Sequence, residues 1–222
     1  MSPDMLFDLL WKSLLQTLHM VAVSGLVGSL IGLPIGVFLA TSGRNELFPA
    51  PALNYAIGLI VNAARSTPFI ILVVAIIPFT RLLTGTSIGT TAAIVPLTIA
   101  TVPFFARLVE AAIREIDKGL IEAARAMGAT PMQIVFKVLL AEARPAILLA
   151  FTMTIVSLIG YSAMVGAVGG GGLGDLGIRY GYQRFMPEVM LAVVVVLIVL
   201  VQLVQSAGDA LARRFDKRNR KS

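Results

Sequence analysis

EAARAMGATPMQIVFKVLLAEARP, residues Glu122 to Pro145, decides how the chain is read. It breaks a strongly apolar sequence with a charged helix, a glycine turn and a second helix. Asp117 suits the N-cap of a short helix over about Lys118 to Met127. Leu120, Ala124 and Met127 recur on one face of that helix, with Ile121 beside them. Gly128 stands where a helix commonly ends in a residue with positive φ. Thr130, Pro131 and Gln133 then spell a capping box with proline at the first helical position. Phe136, Val138 and Leu139 carry the second helix toward Pro145.

The sequence around this stretch belongs in a bilayer. Of 222 residues, 57% are hydrophobic and 14% charged, well below the quarter charged that is usual for soluble domains. Apolar runs at Leu18–Ala40, Ile57–Phe79, Thr90–Val109, Ala146–Val168 and Val189–Ala207 approach or exceed the ~20 residues that cross a membrane as helix. The expected fold is all-α: a polytopic bundle of five transmembrane helices, forming a single transmembrane domain over residues 1–222. Residues 110–145 form its long loop.

Charge gives the orientation. Basic residues concentrate between Arg107 and Arg144 and in the tail RRFDKRNRKS, residues 213–222. Both flank apolar spans, as cytoplasmic segments do. Five spans place the termini on opposite sides, so the N-terminus is expected outside and the C-terminus in the cytoplasm. The same distribution argues against nucleic acid, although the net charge is +6. The first apolar run follows Asp4 and Asp8, lacks a basic lead and ends in no A-x-A-like site, so it reads as a span and not as a removable signal.

The chain has no cysteine and one histidine, His19, so no metal site is expected. No catalytic constellation assembles from so few reactive side chains. An ion-coupled carrier would need carboxylates or histidines as intramembrane relays; the five apolar runs hold no acidic residue. Gly28, Gly32 and Gly36 share one face of the first span and read as a packing seam within the bundle or between subunits. Arg65, inside the second run before Pro68, either snorkels to the cytoplasmic interface or faces a polar cavity or the neighbouring connector.

A capped, alanine-rich helix with Glu122 beside Arg125 suits a protein socket better than a lipid surface. Glu122-Ala123-Ala124, three residues, Gly128, nine residues, then Val138 and Leu140 resembles the EAA motif of permease subunits of bacterial ABC importers. Val138 replaces that family's isoleucine, and Ala141 replaces its final proline. The stretches Arg65–Leu83, Thr98–Glu110 and Val168–Phe185 resemble the family's methionine-uptake branch, with another amino acid or small peptide as the alternative cargo.

The resemblance implies a type I importer subunit in the bacterial inner membrane, working as a homodimer. Its other implied partners are two cytoplasmic ABC ATPases, a periplasmic or lipid-anchored substrate-binding protein, and membrane lipid. Glu122, Ala123, Ala124, Arg125, Met127 and Gly128 would form the coupling helix. The substrate path would run between subunits, where Thr154, Ser157, Tyr161 and Met164 form a stripe on the fourth span. No cofactor is expected in this chain: ATP and Mg would be used by the ATPase. No P-loop is present, and Gly172, Gly174 and Gly177 match G-x-G-x-x-G outside any βαβ unit. They read as an outward turn shaping the external mouth or a binding-protein contact.

Overall fold

The computed structural model describes residues 2–215; the basic residues of the tail beyond Phe215 lie outside the described residues. Among the described residues all regular structure is helical. Helix α1 spans Pro3–Thr41, α2 Pro51–Ser66, α3 Phe69–Ala75 and α4 Ile77–Thr84. Helix α5 spans Thr90–Arg114 and α6 Lys118–Ala126. A short α7, Pro131–Gln133, runs through a π-helical stretch, Ile134–Leu139, into α8, Leu140–Glu142. Then come α9, Arg144–Gly166, α10, Gly172–Leu176, a second π-helical stretch, Gly177–Tyr182, and α11, Pro187–Phe215.

Helices α1, α5, α9 and α11 are each long and apolar enough to cross a membrane. The run Ile57–Phe79 differs from the single helix its hydropathy suggests. It is broken, with α2 and α3 bent by 101°. Pro68 supplies the cause, since it lacks an N–H and disfavours helical geometry in the residue before it. Among the described residues there are thus four uninterrupted candidate spans, and a fifth if the bent pair counts as one.

Helix α1 also starts far earlier than its apolar run. Its 39 residues extend about 58 Å at about 1.5 Å per residue, nearly twice a hydrocarbon core of about 30 Å. Leu6, Leu9, Leu10 and Leu14 form a helical stripe that does not read as an apolar run, because Asp4, Asp8 and Lys12 interrupt it. Helix α5 likewise continues past Val109, which places Glu110 inside a helix and only 7% exposed.

The chain divides into two packing units. One comprises the described residues up to Gly28, with Thr67–Thr101 and Met153–Gln205. Its core is built on Met20, Leu97 and Leu158, all essentially inaccessible. A second cluster in this unit joins Leu173, Leu176, Val189 and Val193 to the leucine stripe of α1. Here Gln16 Oε1 accepts from Gly172 N at 3.0 Å and Thr17 Oγ1 accepts from Leu173 N at 2.9 Å. Gly172 has φ +78°, and a Cβ there would lie 2.6 Å from Thr17 Oγ1. The glycine-rich turn is therefore locked to α1, and the two N–H groups that would open a phosphate cradle are already taken.

The other unit comprises Ser29–Ser66, Val102–Thr152 and the described residues from Ser206. Phe105, Val109 and Ile113 of α5 pack with Ala124 of α6 and with Ile134, Val135 and Leu139 of the π-helical stretch. This core fastens the charged connector to the end of α5.

Candidate functional site: the capped helix and its surroundings

Helix α6 is closed at both ends. Asp117 Oδ1 accepts from Gly119 N at 2.8 Å. At the other end Gly128 takes φ +79°. Its N–H reaches Arg125 O at 2.9 Å, and Ala129 N reaches Ala124 O at 3.0 Å. This is the paired bonding of a Schellman motif, and it satisfies carbonyls that would otherwise be orphaned. Thr130 N then donates to Gln133 Oε1 at 2.9 Å, while Thr130 Oγ1 accepts from Gln133 N at 3.3 Å. The capping box forms in full. Two short helices thus meet at a turn in which most backbone polar groups have partners.

The apolar side of α6 splits. Ala124 is 4% exposed and Ile121 is half-buried against the α5 core, whereas Leu120 and Met127 project, Met127 at 81% exposure. Glu122, Ala123 and Arg125 are exposed too. Glu122 and Arg125 border a polar cleft of about 370 Å³, shared with Thr41 at the end of α1, Glu46 of the α1–α2 connection, Arg114 and Lys118. Among the described residues neither Glu122 nor Arg125 is in an ion pair. The helix therefore holds on by Ala124 and Ile121 and offers a charged, thioether-tipped surface outward.

Helix α1 meets α5 through its glycines. A Cβ on Gly28 would lie 2.5 Å from Thr101 Cβ, within the first unit. Within the second unit, a Cβ on Gly32 would lie 2.8 Å from Val102 O, and one on Gly36 2.5 Å from Ala106 O. The seam lies inside the subunit.

The fourth-span stripe is not uniform. Thr154 is 1% exposed and faces into the packing, which removes it from any open surface. Ser157 is half-buried. Tyr161 stacks on Phe69, with ring centroids 4.5 Å apart and planes inclined by 17°. Met164 is 42% exposed. Met153 is exposed, and Gly160 has nothing within 4 Å of a Cβ position. Residues 153, 157, 160 and 164 follow helical spacing, so Met153 and Gly160 extend the open side. Neither carries a polar group that would mark it in the sequence. Arg65 is exposed at the end of α2 and has no carboxylate partner among the described residues; His19 is exposed on α1. Among the described residues no three His, Asp or Glu side chains converge as a metal site would require.

A charge cluster on α5 went unrecognised in the sequence. Glu110 Oε2 accepts from Arg107 Nη1 at 2.5 Å, and Glu110 Oε1 pairs with Arg114 Nη2 at 2.9 Å. The signal available was the i, i+3, i+7 spacing of Arg107, Glu110 and Arg114, which sets all three on one helical face.

A family model described as the inner membrane component of binding-protein-dependent transport systems matches residues 32–221. The chain belongs to that family. The permease is 57% identical over 211 residues to the probable D-methionine transport system permease protein MetI of Vibrio cholerae, across 95% of this chain and 94% of the relative. It is 41% identical over 209 residues to the methionine import system permease protein MetP of Bacillus subtilis, across 94% of each chain. A solved structure of the MetNI methionine ABC transporter in an inward-facing conformation contains a chain that superposes with a TM-score of 0.95. That match has 52% identity and covers 98% of this permease and 100% of the solved chain.

Proposed function

We propose that this permease is the membrane-spanning subunit of an ATP-driven methionine importer of the bacterial inner membrane. It pairs with a second copy of itself and with two cytoplasmic ATPases, and receives its substrate from a periplasmic or lipid-anchored binding protein. ATP and Mg belong to the ATPases. The N-terminus faces outward and the C-terminus the cytoplasm. The methionine assignment draws on the relatives named above.

The observation that carries the coupling role is the geometry of α6. A lever must be short, stiff and tied to what it moves. Helix α6 has nine residues, is capped at both ends, and is packed through Ala124 onto α5. Glu122, Ala123, Arg125 and Met127 are left for the ATPase groove, and Gly128 forms the turn. When the ATPases close on ATP, α6 moves with them, and the helix bundle repacks as rigid bodies.

Ser157, Tyr161 and Met164, extended by Met153 and Gly160, line the substrate path. The supporting feature is the open side of α9, with Tyr161 held in place by its stack on Phe69. A polarisable thioether surface suits a thioether substrate.

The test is uptake by the complete transporter in vesicles. Labelled L-methionine should enter only with ATP, and unlabelled L-methionine should abolish the signal. D-Methionine is the informative second competitor. ATP-dependent uptake of another amino acid that methionine fails to compete would remove the substrate assignment and keep the coupling role.

A further inference from the structure

We infer that Glu110 is a positioning residue for energy coupling, the pin that fixes the register of α5 against α1 and α2; the inference rests on the importer reading above. Two contacts from the cluster around this single carboxylate define the pin. Arg107, joined to Glu110, donates from Nη2 to the carbonyl of Gly58 on α2 at 3.0 Å. Arg114, joined to the other carboxylate oxygen, points its Nη2 at the carbonyl of Leu39 in the last turn of α1, at 3.4 Å. The same Leu39 carbonyl accepts from Asn54 Nδ2 at 2.9 Å, and Asn54 Nδ2 also donates to Ser42 Oγ at 2.8 Å. One acidic side chain on α5 thus organises contacts to both neighbouring helices.

The need for a pin follows from the seam. At Gly32 and Gly36 the α1 surface is bare backbone lying against α5. Close backbone contact gives dispersion energy, but a glycine surface offers little relief to resist sliding. Three residues separate helix α6 from the end of α5, and the shared core packs the two together. A push on α6 therefore reaches α5 first. Charge-assisted hydrogen bonds are directional, so they can convert that push into movement of α1 and α2. Glu110 is buried, and Arg107 Nε is buried with no hydrogen-bond partner. The carboxylate is thus the main anchor holding that guanidinium on Gly58.

The measurement is the ratio of methionine imported to ATP hydrolysed, in vesicles carrying the complete complex. Glu110→Gln should assemble with its ATPase and hydrolyse ATP within about twofold of wild type, while the transport ratio falls at least tenfold. Arg114→Gln removes the more exposed partner and should lower the ratio severalfold with normal assembly. A wild-type ratio in Glu110→Gln overturns the inference. Loss of assembly in Glu110→Gln together with a wild-type ratio in Arg114→Gln also overturns it, because the cluster would then serve folding alone. A wild-type complex that moves no methionine would withdraw the importer reading and this inference with it, a result distinct from either variant outcome.

Discussion

Gly36 and Gly160 are both glycines in membrane helices, yet the space around them differs completely. A methyl group on Gly36 would press on the Ala106 carbonyl, a backbone atom that cannot rotate away. Overpacking of this kind costs about 1–3 kcal/mol, and a larger side chain would force α1 off α5. Gly160 faces open space. Gly36→Leu should therefore lower the yield of folded protein and the midpoint of a thermal melt in detergent. Gly160→Ala should leave both near wild type or slightly raised, since alanine favours helix by about 1 kcal/mol. Equal melts for the two variants would contradict the intrasubunit seam. The glycine spacing was legible in the sequence, because period four on a helix marks one face. Which neighbour that face meets was not, because the partner helix lies some 70 residues away in the chain and leaves no local trace.

In the proposed coupling role the decisive element is α6, which is capped at both ends. Gly128 at φ +79° has open space around it, so alanine there would meet no clash and only conformational strain. That strain is about 1–2 kcal/mol for an L-residue, enough for roughly tenfold more opening of the turn. Gly128→Ala should accordingly speed amide hydrogen exchange at residues 128 and 129 about tenfold, while α5 and α9 keep their protection. Unchanged exchange at the turn would mean that the cap does not hold the helix. Asp117 and Gly128 made both ends of α6 readable, and Thr130, Pro131 and Gln133 the start of α7, since each meets a local backbone requirement. Neighbouring elements hid more. An apolar run looks alike whether continuous or bent, so Pro68 gave no measure of the 101° break. The π-helical stretch at Ile134–Leu139 changes hydrogen bonding by one residue per turn and leaves no compositional mark. In the sequence Glu110 reads as connector because the apolar run stops at Val109. It is buried inside the helix because arginines stand one turn to either side.

At the scale of the molecule, the proposed role of the permease is to couple α6, facing the cytoplasm, to the helices that cross the membrane, with ATP used by partner ATPases. The central claim is that α6 faces the cytoplasm and seats in the ATPase. The chain contains no cysteine, so Met127→Cys introduces a single thiol at an exposed position on that element. The decisive measurement is labelling of this thiol by a membrane-impermeant maleimide in vesicles of both orientations, with and without the ATPase. We expect labelling only in inverted vesicles, protection when the ATPase is assembled, and a crosslink between the thiol and the ATPase. Labelling in right-side-out vesicles, or labelling indifferent to the ATPase, would contradict the account.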